Sequence, residues 1–213
     1  MPVVVVANPK GGVGKSTLST NVAGYFASQG HKVMLGDADR QQSSRLWLGL
    51  RPPTARPIVG WDVSEDRMGK LPKGVTHVVL DTPAGLHGGR MKDALRHADK
   101  VVVPLQPSPF DLAATHAFLQ VLAGHKRGGK LGAGGSVALV AMRVKEHTHA
   151  TQHLHAFLEA VAPAPLNIPV THLRDTQNYA HLAARGLTLF DVAPGRVERD
   201  LQQWLPLTTW LTA

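Results

Sequence analysis

The sequence contains no cysteine among its 213 residues, which excludes disulfide bonds, thiolate metal sites and iron–sulfur clusters. It also lacks any apolar run of about eighteen residues, so we expect no membrane-spanning segment. No basic region precedes the short apolar run at residues 3–6, and we therefore expect no signal peptide. Together these absences predict a soluble, cytoplasmic protein.

The charge of the chain is unbalanced. Lysine and arginine number 23 against 15 aspartates and glutamates, which gives a net charge of +8. Such a surplus suggests an anionic partner, namely nucleic acid, nucleotide or an acidic membrane surface. Solubility alone explains a basic surface equally well.

Short apolar runs rich in β-branched residues alternate along the chain with longer helical patterns. This alternation predicts one α/β domain over residues 1–213, with a doubly wound, mostly parallel sheet and helices on both faces. We predict strands at residues 3–7, 32–36, 76–81, 100–104, 136–142 and 168–172. An edge strand at residues 58–63 is less regular because it contains Gly60. The glycine-rich segment 128–135 is predicted to be a connecting loop.

A glycine-rich turn joins the first strand to a helix predicted from about residue 15 to 28. The turn consists of Lys10, Gly11, Gly12, Val13, Gly14, Lys15, Ser16 and Thr17. Glycines allow successive backbone N–H groups to point at phosphate oxygens, and the helix N-terminus adds partial positive charge. The pattern is that of a P-loop for ATP, in which Lys15 reaches the β- and γ-phosphates and Ser16 binds magnesium.

Two further segments carry carboxylates at the ends of predicted strands. Asp37 and Asp39 follow the second strand, and Asp81 ends the strand at residues 76–81. The carboxyl ends of parallel strands are where ligands of α/β sheets bind, so Asp37 and Asp81 are candidate magnesium-site residues, Asp81 through a water molecule. For each aspartate alone, a helix cap or a turn is the alternative role.

The phosphate loop with its second lysine, Lys10, resembles the deviant Walker A box of the ParA/MinD ATPase family. Pro9, which stands where the general pattern has glycine, points to the ParA branch of that family. Residues 36–44 look like the family's Asp-x-Asp-x-Gln motif, and residues 78–85 look like its Walker B strand and switch loop. The resemblance extends over residues 2–191. It implies a P-loop NTPase that hydrolyses ATP slowly, with Asp39 orienting the attacking water.

The same resemblance implies partners. Lys10 is expected to cross to the nucleotide of a second copy in an ATP-sandwich homodimer. A cargo-bound, ParB-like protein is expected to stimulate hydrolysis, and the dimer is expected to bind DNA nonspecifically on the nucleoid. The candidate DNA contacts are Arg143, Lys145, Arg174, Arg185, Arg196 and Arg199, extended by Lys126, Arg127 and Lys130. Solvated surface charge is the alternative for each of these residues. We expect no sequence-specific binding, because no helix-turn-helix module precedes the ATPase.

Met142 departs from the family pattern, in which an asparagine commonly reads adenine at this place, and methionine lacks those hydrogen-bonding groups. Two alternative functions stay open on this scaffold. One is an ATP-dependent ligase like dethiobiotin synthetase, and the other is a membrane-positioned regulator of the MinD type.

The C-terminal segment bears on the second alternative. Residues 197–211 have helical apolar spacing, but Glu198 and Asp200 oppose Arg199, and Pro206 interrupts the pattern. We therefore predict a helix packed on the domain and no contact with membrane.

The sequence also contains a group of four histidines, which are His147, His149, His153 and His155. No cysteine or well-spaced carboxylate completes a metal site around them. We therefore predict that these histidines face solvent.

Overall fold

The computed structural model describes residues 1–64, 67–68, 73–85, 88–125, 136–162 and 168–213. The strands in this part of the chain are β1 (Val3–Val6), β2 (Val33–Asp37), β3 (Ile58–Trp61), β4 (Val63–Ser64), β5 (Arg67–Met68), β6 (His77–Asp81), β7 (Lys100–Leu105), β8 (Val137–Val144) and β9 (Val170–Arg174). The α-helices are α1 (Lys15–Ser28), α2 (Ser43–Leu50), α3 (Gly88–His97), α4 (Pro109–His125), α5 (His149–Val161), α6 (Asn178–Ala183) and α7 (Glu198–Thr212). Two 3₁₀ turns occupy Leu189–Asp191 and Pro194–Arg196.

The central sheet has seven strands in the order β3-β2-β6-β1-β7-β8-β9. Every neighbouring pair in it is parallel. β4 and β5 form a separate antiparallel pair. The chain leaves β1 towards β2 on one side and later returns to β7 on the other side of β1. The carboxyl end of β1 is therefore a topological switch point, where open α/β sheets bind ligands.

The predicted fold class is confirmed, and each predicted strand is present with its ends shifted by one or two residues. β3 forms the edge that the sequence indicated despite Gly60. β8 runs two residues beyond the prediction, to Val144, and its pairing with β9 is irregular between Ala141 and Val144.

Both faces of the sheet are buried. In β1, Val3 and Val5 belong to one core cluster, and Val4 and Val6 belong to the other. Successive side chains of a strand point to opposite faces, so a strand covered on both faces needs an unbroken apolar run. The first cluster includes residues of α3, α4 and α5, and the second includes residues of α1, α2, α6 and α7.

The predicted packing of the C-terminal helix on the domain is confirmed. Trp204, Leu207 and Leu211 of α7 lie in the core. Two details of the prediction were wrong. α7 continues through Pro206, which lies on the exposed side, where solvent replaces the hydrogen bond that proline cannot donate. Asp200 is not on a polar outer face but fully buried. None of the helices in the described ranges is long and apolar enough to cross a membrane.

Arg51, just after α2, joins two distant parts of the chain. Its guanidinium group donates two hydrogen bonds to the Asp191 carboxylate, at 2.7 and 3.0 Å, and both side chains are buried. Arg51 also donates to the carbonyl oxygen of Gly186 at 3.1 Å. Planar, two-point pairing of this kind holds a defined geometry. The end of α2 is thereby fastened to the segment that packs beside α1.

Candidate nucleotide-binding site

The phosphate loop lies between β1 and α1, at the switch point of the sheet. Gly12 and Gly14 have φ values of +78° and +94°, which glycine adopts without steric cost. Gly14 caps α1, which begins at Lys15 as predicted. The free N–H groups of the first helical turn and the helix dipole therefore face the loop, an arrangement suited to binding phosphate.

The two lysines of the loop have different surroundings. Lys15 is buried, and its Nζ donates a 2.8 Å hydrogen bond to the carbonyl oxygen of Lys10. Burial lowers the pKa of Lys15, while the negative charges of Asp81 and Asp39 oppose that shift. The side chain of Lys10 is exposed. Lys15 is thus placed inside the site and Lys10 at its mouth.

Asp81 is the most enclosed carboxylate of the site, with 0% exposure. Its Oδ2 accepts a 2.7 Å hydrogen bond from the Ser44 hydroxyl, whereas its buried Oδ1 has no hydrogen-bond partner among the described residues. Burial raises the pKa of Asp81 to about 6, and the hydroxyl groups of Ser16 and Ser44 oppose the rise. A buried carboxylate oxygen without a partner, near a serine hydroxyl, is suited to a magnesium ion and its water. The residues present therefore fit magnesium.

Asp37 and Asp39 shape the loop that precedes α2. Asp37 Oδ2 accepts hydrogen bonds from the backbone N–H groups of Ser44 (2.8 Å) and Arg45 (3.1 Å), and Oδ1 accepts one from Asp39 (3.0 Å). Burial raises the pKa of Asp37, and these backbone hydrogen bonds oppose the shift. Asp37 therefore holds the first turn of α2, the capping role that the sequence left as the alternative. Its direct ligation of magnesium stays a prediction.

Asp39 is half-buried, and its Oδ1 accepts a 2.9 Å hydrogen bond from the N–H of Gln41. Gln42, which has a φ of +53°, donates from its side chain to the carbonyl oxygens of Asp37 and Asp39, both at 3.0 Å. These contacts fix the backbone on both sides of the Asp39 side chain. Its role in orienting water stays a prediction.

Several residues that support the phosphate loop were not predicted from the sequence. Asn8 is buried, accepts from the N–H of Lys10 (2.9 Å) and donates to Thr115 of α4 (3.0 Å). Gln106 donates to the carbonyl oxygen of Gly12 at 2.7 Å. The N–H of Gly85 donates to Pro9 at 2.8 Å, so the segment after β6 touches the phosphate loop. The signal for Asn8 and Gln106 was their position at the carboxyl ends of β1 and β7.

A cavity of about 340 Å³ opens beside the phosphate loop. Val13, Gly14 and Thr17 line it on the loop side, and Met142 and Arg143 line it on the side of β8. Met142 is buried and packs against Gly14. Arg143 has a φ of +53° at the irregularity of β8, and its side chain is exposed. The cavity is placed to receive the base of a nucleotide whose phosphates lie in the loop.

The six predicted DNA contacts lie in different surroundings. Arg143 and Arg174 line the cavity beside the phosphate loop. Arg174 donates from Nε to the buried Asp200, which holds the pKa of Arg174 above its ordinary value. Lys145 pairs with Asp175 at 3.4 Å, and Arg199 pairs with Glu146 at 3.1 Å. The remaining two residues, Arg185 and Arg196, are exposed.

The remaining predictions concern the glycine-rich loop with its neighbouring basic residues and the group of four histidines. Lys126, Arg127, Lys130 and the loop 128–135 lie outside the described residues. The four histidines of the sequence prediction are all exposed, as expected, and His155 stacks on His172 with ring centroids 5.2 Å apart.

Known proteins are similar to this chain in sequence and in fold. The chain is 29% identical over 206 residues to maintenance of carboxysome distribution protein A from Halothiobacillus neapolitanus, and the match covers 92% of this chain and 91% of that protein. A protein of the same name from Gloeobacter kilaueensis is 35% identical over 117 residues, which are 52% of each chain. The chain thus spans about half the length of this second relative.

The fold is similar to that of a Cyanothece McdA variant in complex with ATP, with a TM-score of 0.75 and 16% identity over 98% of this chain and 96% of that one. Residues 4–190 match the family described as CobQ/CobB/MinD/ParA nucleotide binding domain. That range holds the phosphate loop and the strands that carry Asp37 and Asp81, which confirms the family resemblance. The chain belongs to the CobQ/CobB/MinD/ParA family of nucleotide-binding domains.

Proposed function

We propose that this protein is an ATP-dependent positioning ATPase that acts as a single domain over residues 1–213. ATP binding leads to a homodimer, and the dimer binds DNA nonspecifically on the nucleoid. A cargo-bound, ParB-like partner stimulates hydrolysis, which releases the protein from DNA. Magnesium, when bound, neutralises the charge that develops on the phosphates, and Asp81 and Ser16 are the residues that would hold it.

The observation that carries this proposal is that one lysine of the phosphate loop is buried and the other is exposed. Lys15 is buried inside the phosphate loop and supplies a cation to a nucleotide bound in the same subunit. Lys10 is exposed at the mouth of the loop. A second cation beside a complete phosphate loop stabilises phosphoryl transfer most when it reaches a nucleotide held opposite, as arginine fingers do. This arrangement supports a dimer that buries the nucleotide between its subunits.

The surface around the phosphate loop supports the same dimer. Phe110, at the start of α4, is 80% exposed, although apolar side chains of this size are usually buried. It follows β7, whose carboxyl end touches the phosphate loop through the hydrogen bond from Gln106 to Gly12. Lys10 and Phe110 therefore both follow the carboxyl ends of neighbouring strands, Lys10 after β1 and Phe110 after β7. Aromatic side chains are enriched at the centres of protein interfaces, so Phe110 is a candidate interface residue.

The charge distribution supports an anionic partner. Arg185 and Arg196 are exposed, and they follow α6 and precede α7 on one stretch of the chain. A dimer doubles these cations on one particle, so nucleotide state can control DNA binding without a new kind of contact. The names of the two carboxysome distribution relatives describe the placing of a cargo, which supports a positioning role.

The position of α7 does not support the membrane-positioned alternative. A helix that lies on a membrane needs an apolar face free for lipid. The apolar side chains Trp204, Leu207 and Leu211 of α7 are already buried in the core, and Trp204 also donates to the Tyr179 hydroxyl at 2.9 Å. For the ligase alternative, nothing in the described residues singles out a binding site for a second substrate.

The experiment that tests the proposal is equilibrium DNA binding by fluorescence anisotropy, with two unrelated duplexes of equal length. With a non-hydrolysable ATP analogue we expect both duplexes to bind with the same affinity, and with ADP we expect weak binding. The affinity should decrease with salt, with a log–log slope of about −0.9 per phosphate neutralised. Equal affinity in the two nucleotides, or a slope near zero, contradicts a DNA-bound positioning ATPase.

A further inference from the structure

The first turn of α2 reaches the most buried carboxylate of the site. The Ser44 hydroxyl donates a 2.7 Å hydrogen bond to Asp81 Oδ2, and both residues are 0% exposed. The two side chains are 37 residues apart in sequence and come from different elements. Neither composition nor motif spacing singled out Ser44 as a site residue.

The hydrogen bond from Ser44 fixes the orientation of the Asp81 carboxylate. A carboxylate on a strand can rotate about its last bond and exchange its two oxygens, because that torsion has broad preferences. The bond from Ser44 holds Oδ2, so that Oδ1 remains as the buried oxygen without a hydrogen-bond partner in the part of the chain that the structure describes. That oxygen is the one which can bond to a magnesium-bound water.

The backbone of Ser44 is held in place by Asp37. Its backbone N–H donates a 2.8 Å hydrogen bond to Asp37 Oδ2, and the next N–H, that of Arg45, donates to the same oxygen at 3.1 Å. At the other end of the helix, Arg51 is anchored on Asp191. α2 is therefore held by hydrogen bonds at both ends, and its first turn presents the Ser44 hydroxyl group to Asp81.

We propose that Ser44 is the positioning residue of the magnesium site, and that it sets the orientation of the Asp81 carboxylate through this hydrogen bond. The inference rests on the proposed use of magnesium and ATP at this site. Groups that orient a metal-site residue typically alter metal affinity by roughly 10- to 100-fold when they are removed. Ser44 touches neither nucleotide nor metal in this role, so it should leave metal-free nucleotide binding unaltered.

The experiment compares Ser44→Ala with Ser43→Ala, which removes the same hydroxyl from the exposed neighbouring residue. Binding of a fluorescent ATP analogue is measured first in EDTA and then during a titration with magnesium chloride. For Ser44→Ala we expect unchanged affinity in EDTA and a magnesium concentration for half-maximal enhancement that is raised at least about tenfold. Ser43→Ala should match the wild type in both measurements. Thermal unfolding of each variant controls for folding.

Ser44→Cys gives a second test if the alanine variant does not fold, because a thiol has nearly the same shape but donates a hydrogen bond poorly. It should also require more magnesium than the wild type. A Ser44 variant that folds and shows the wild-type magnesium dependence overturns the positioning role while leaving the proposed function intact. If the nucleotide affinity of the wild-type protein does not depend on magnesium concentration, both the metal site and the role of Ser44 are overturned. That result is obtained before any variant is made.

Discussion

Lys15 and Lys10 meet across the phosphate loop, where Lys15 Nζ donates a 2.8 Å hydrogen bond to the carbonyl oxygen of Lys10. This bond holds the buried ammonium group of Lys15 inside the loop, where the phosphates of a nucleotide would be bound. The Lys10 side chain takes no part in that bond and is exposed. The two lysines are therefore neighbours in the loop with separable roles.

Replacing each lysine by alanine should separate those roles. Lys15→Ala should weaken ATP binding at least about tenfold, because a charge-assisted bond to the phosphates is lost. Lys10→Ala should bind ATP as the wild type does but sediment as a monomer with ATP. The measurements are titration with a fluorescent ATP analogue and analytical ultracentrifugation. A normal ATP dimer of Lys10→Ala would reject the role across the subunit interface.

Phe110→Ser should weaken the ATP-dependent dimer without altering the monomer. The side chain is 80% exposed, so its removal costs the fold little, whereas an aromatic anchor at an interface contributes strongly. Leu205→Ser is the matched control, since Leu205 is 61% exposed on α7. Sedimentation with ATP at several protein concentrations measures the dimer constant of each variant. Equal weakening by both substitutions would show that Phe110 has no special place in the dimer.

Asp39→Ala should retain ATP binding and dimer formation and lose turnover by about 100-fold or more, because the attacking water loses its carboxylate partner. Asp39 is only half-buried, so the variant is expected to fold although it loses the hydrogen bond from the N–H of Gln41. Phosphate release under single-turnover conditions measures the step directly. Hydrolysis at the wild-type rate would move the role to another residue of the site.

Arg185→Gln should lower the affinity for DNA and reduce the salt slope by about one unit, because one phosphate contact is lost. Arg185 is exposed in the C-terminal third of the chain. Arg96→Gln is the matched control, because Arg96 is an exposed arginine on α3. DNA anisotropy at several salt concentrations is measured for both variants. The same change in slope for both would indicate a general effect of net charge and no defined surface.

Acid should destabilise the protein through His77. This side chain begins β6 and stacks on His31 and Phe26, with ring centroids 3.9 and 4.4 Å away. Burial, together with the positive charges of His31 and the N-terminus, lowers the pKa of His77 to about 4. An unfolded histidine titrates near pH 6.5, so the unfolded state binds more protons between about pH 6.5 and 4. The free energy of unfolding should therefore decrease as the pH falls through that range.

His77→Phe keeps the aromatic stack and removes the titrating group, so its stability should depend less on pH between 6.5 and 4. Chemical unfolding at pH 7 and pH 5 measures the difference for the wild type and the variant. His153→Phe, at an exposed position on α5, is the control and should show the wild-type pH dependence. An unchanged pH dependence in His77→Phe would show that another group causes the acid sensitivity.

Much of the fold follows from local patterns in the sequence. The four consecutive valines of β1 need apolar surroundings on both faces, as a parallel sheet covered by helices provides. The glycines at 12 and 14 permit the positive φ angles of the turn without steric cost, and the helix that follows begins at Lys15. These constraints act within a few residues, so the sequence alone predicted the sheet, its strands and the phosphate loop.

The partners of the site residues were decided by the tertiary structure. Ser44 and Asp81, Arg51 and Asp191, and Arg174 and Asp200 are separated by 37, 140 and 26 residues and meet only after the chain has folded. The hydrogen bonds of Asp37, the burial of Asp200 and the continuation of α7 through Pro206 likewise depend on what lies opposite each residue. A residue type and its spacing determine which bonds a side chain is able to make. The packing of elements distant in sequence determines which of those bonds form, because burial removes the water that would otherwise compete for them.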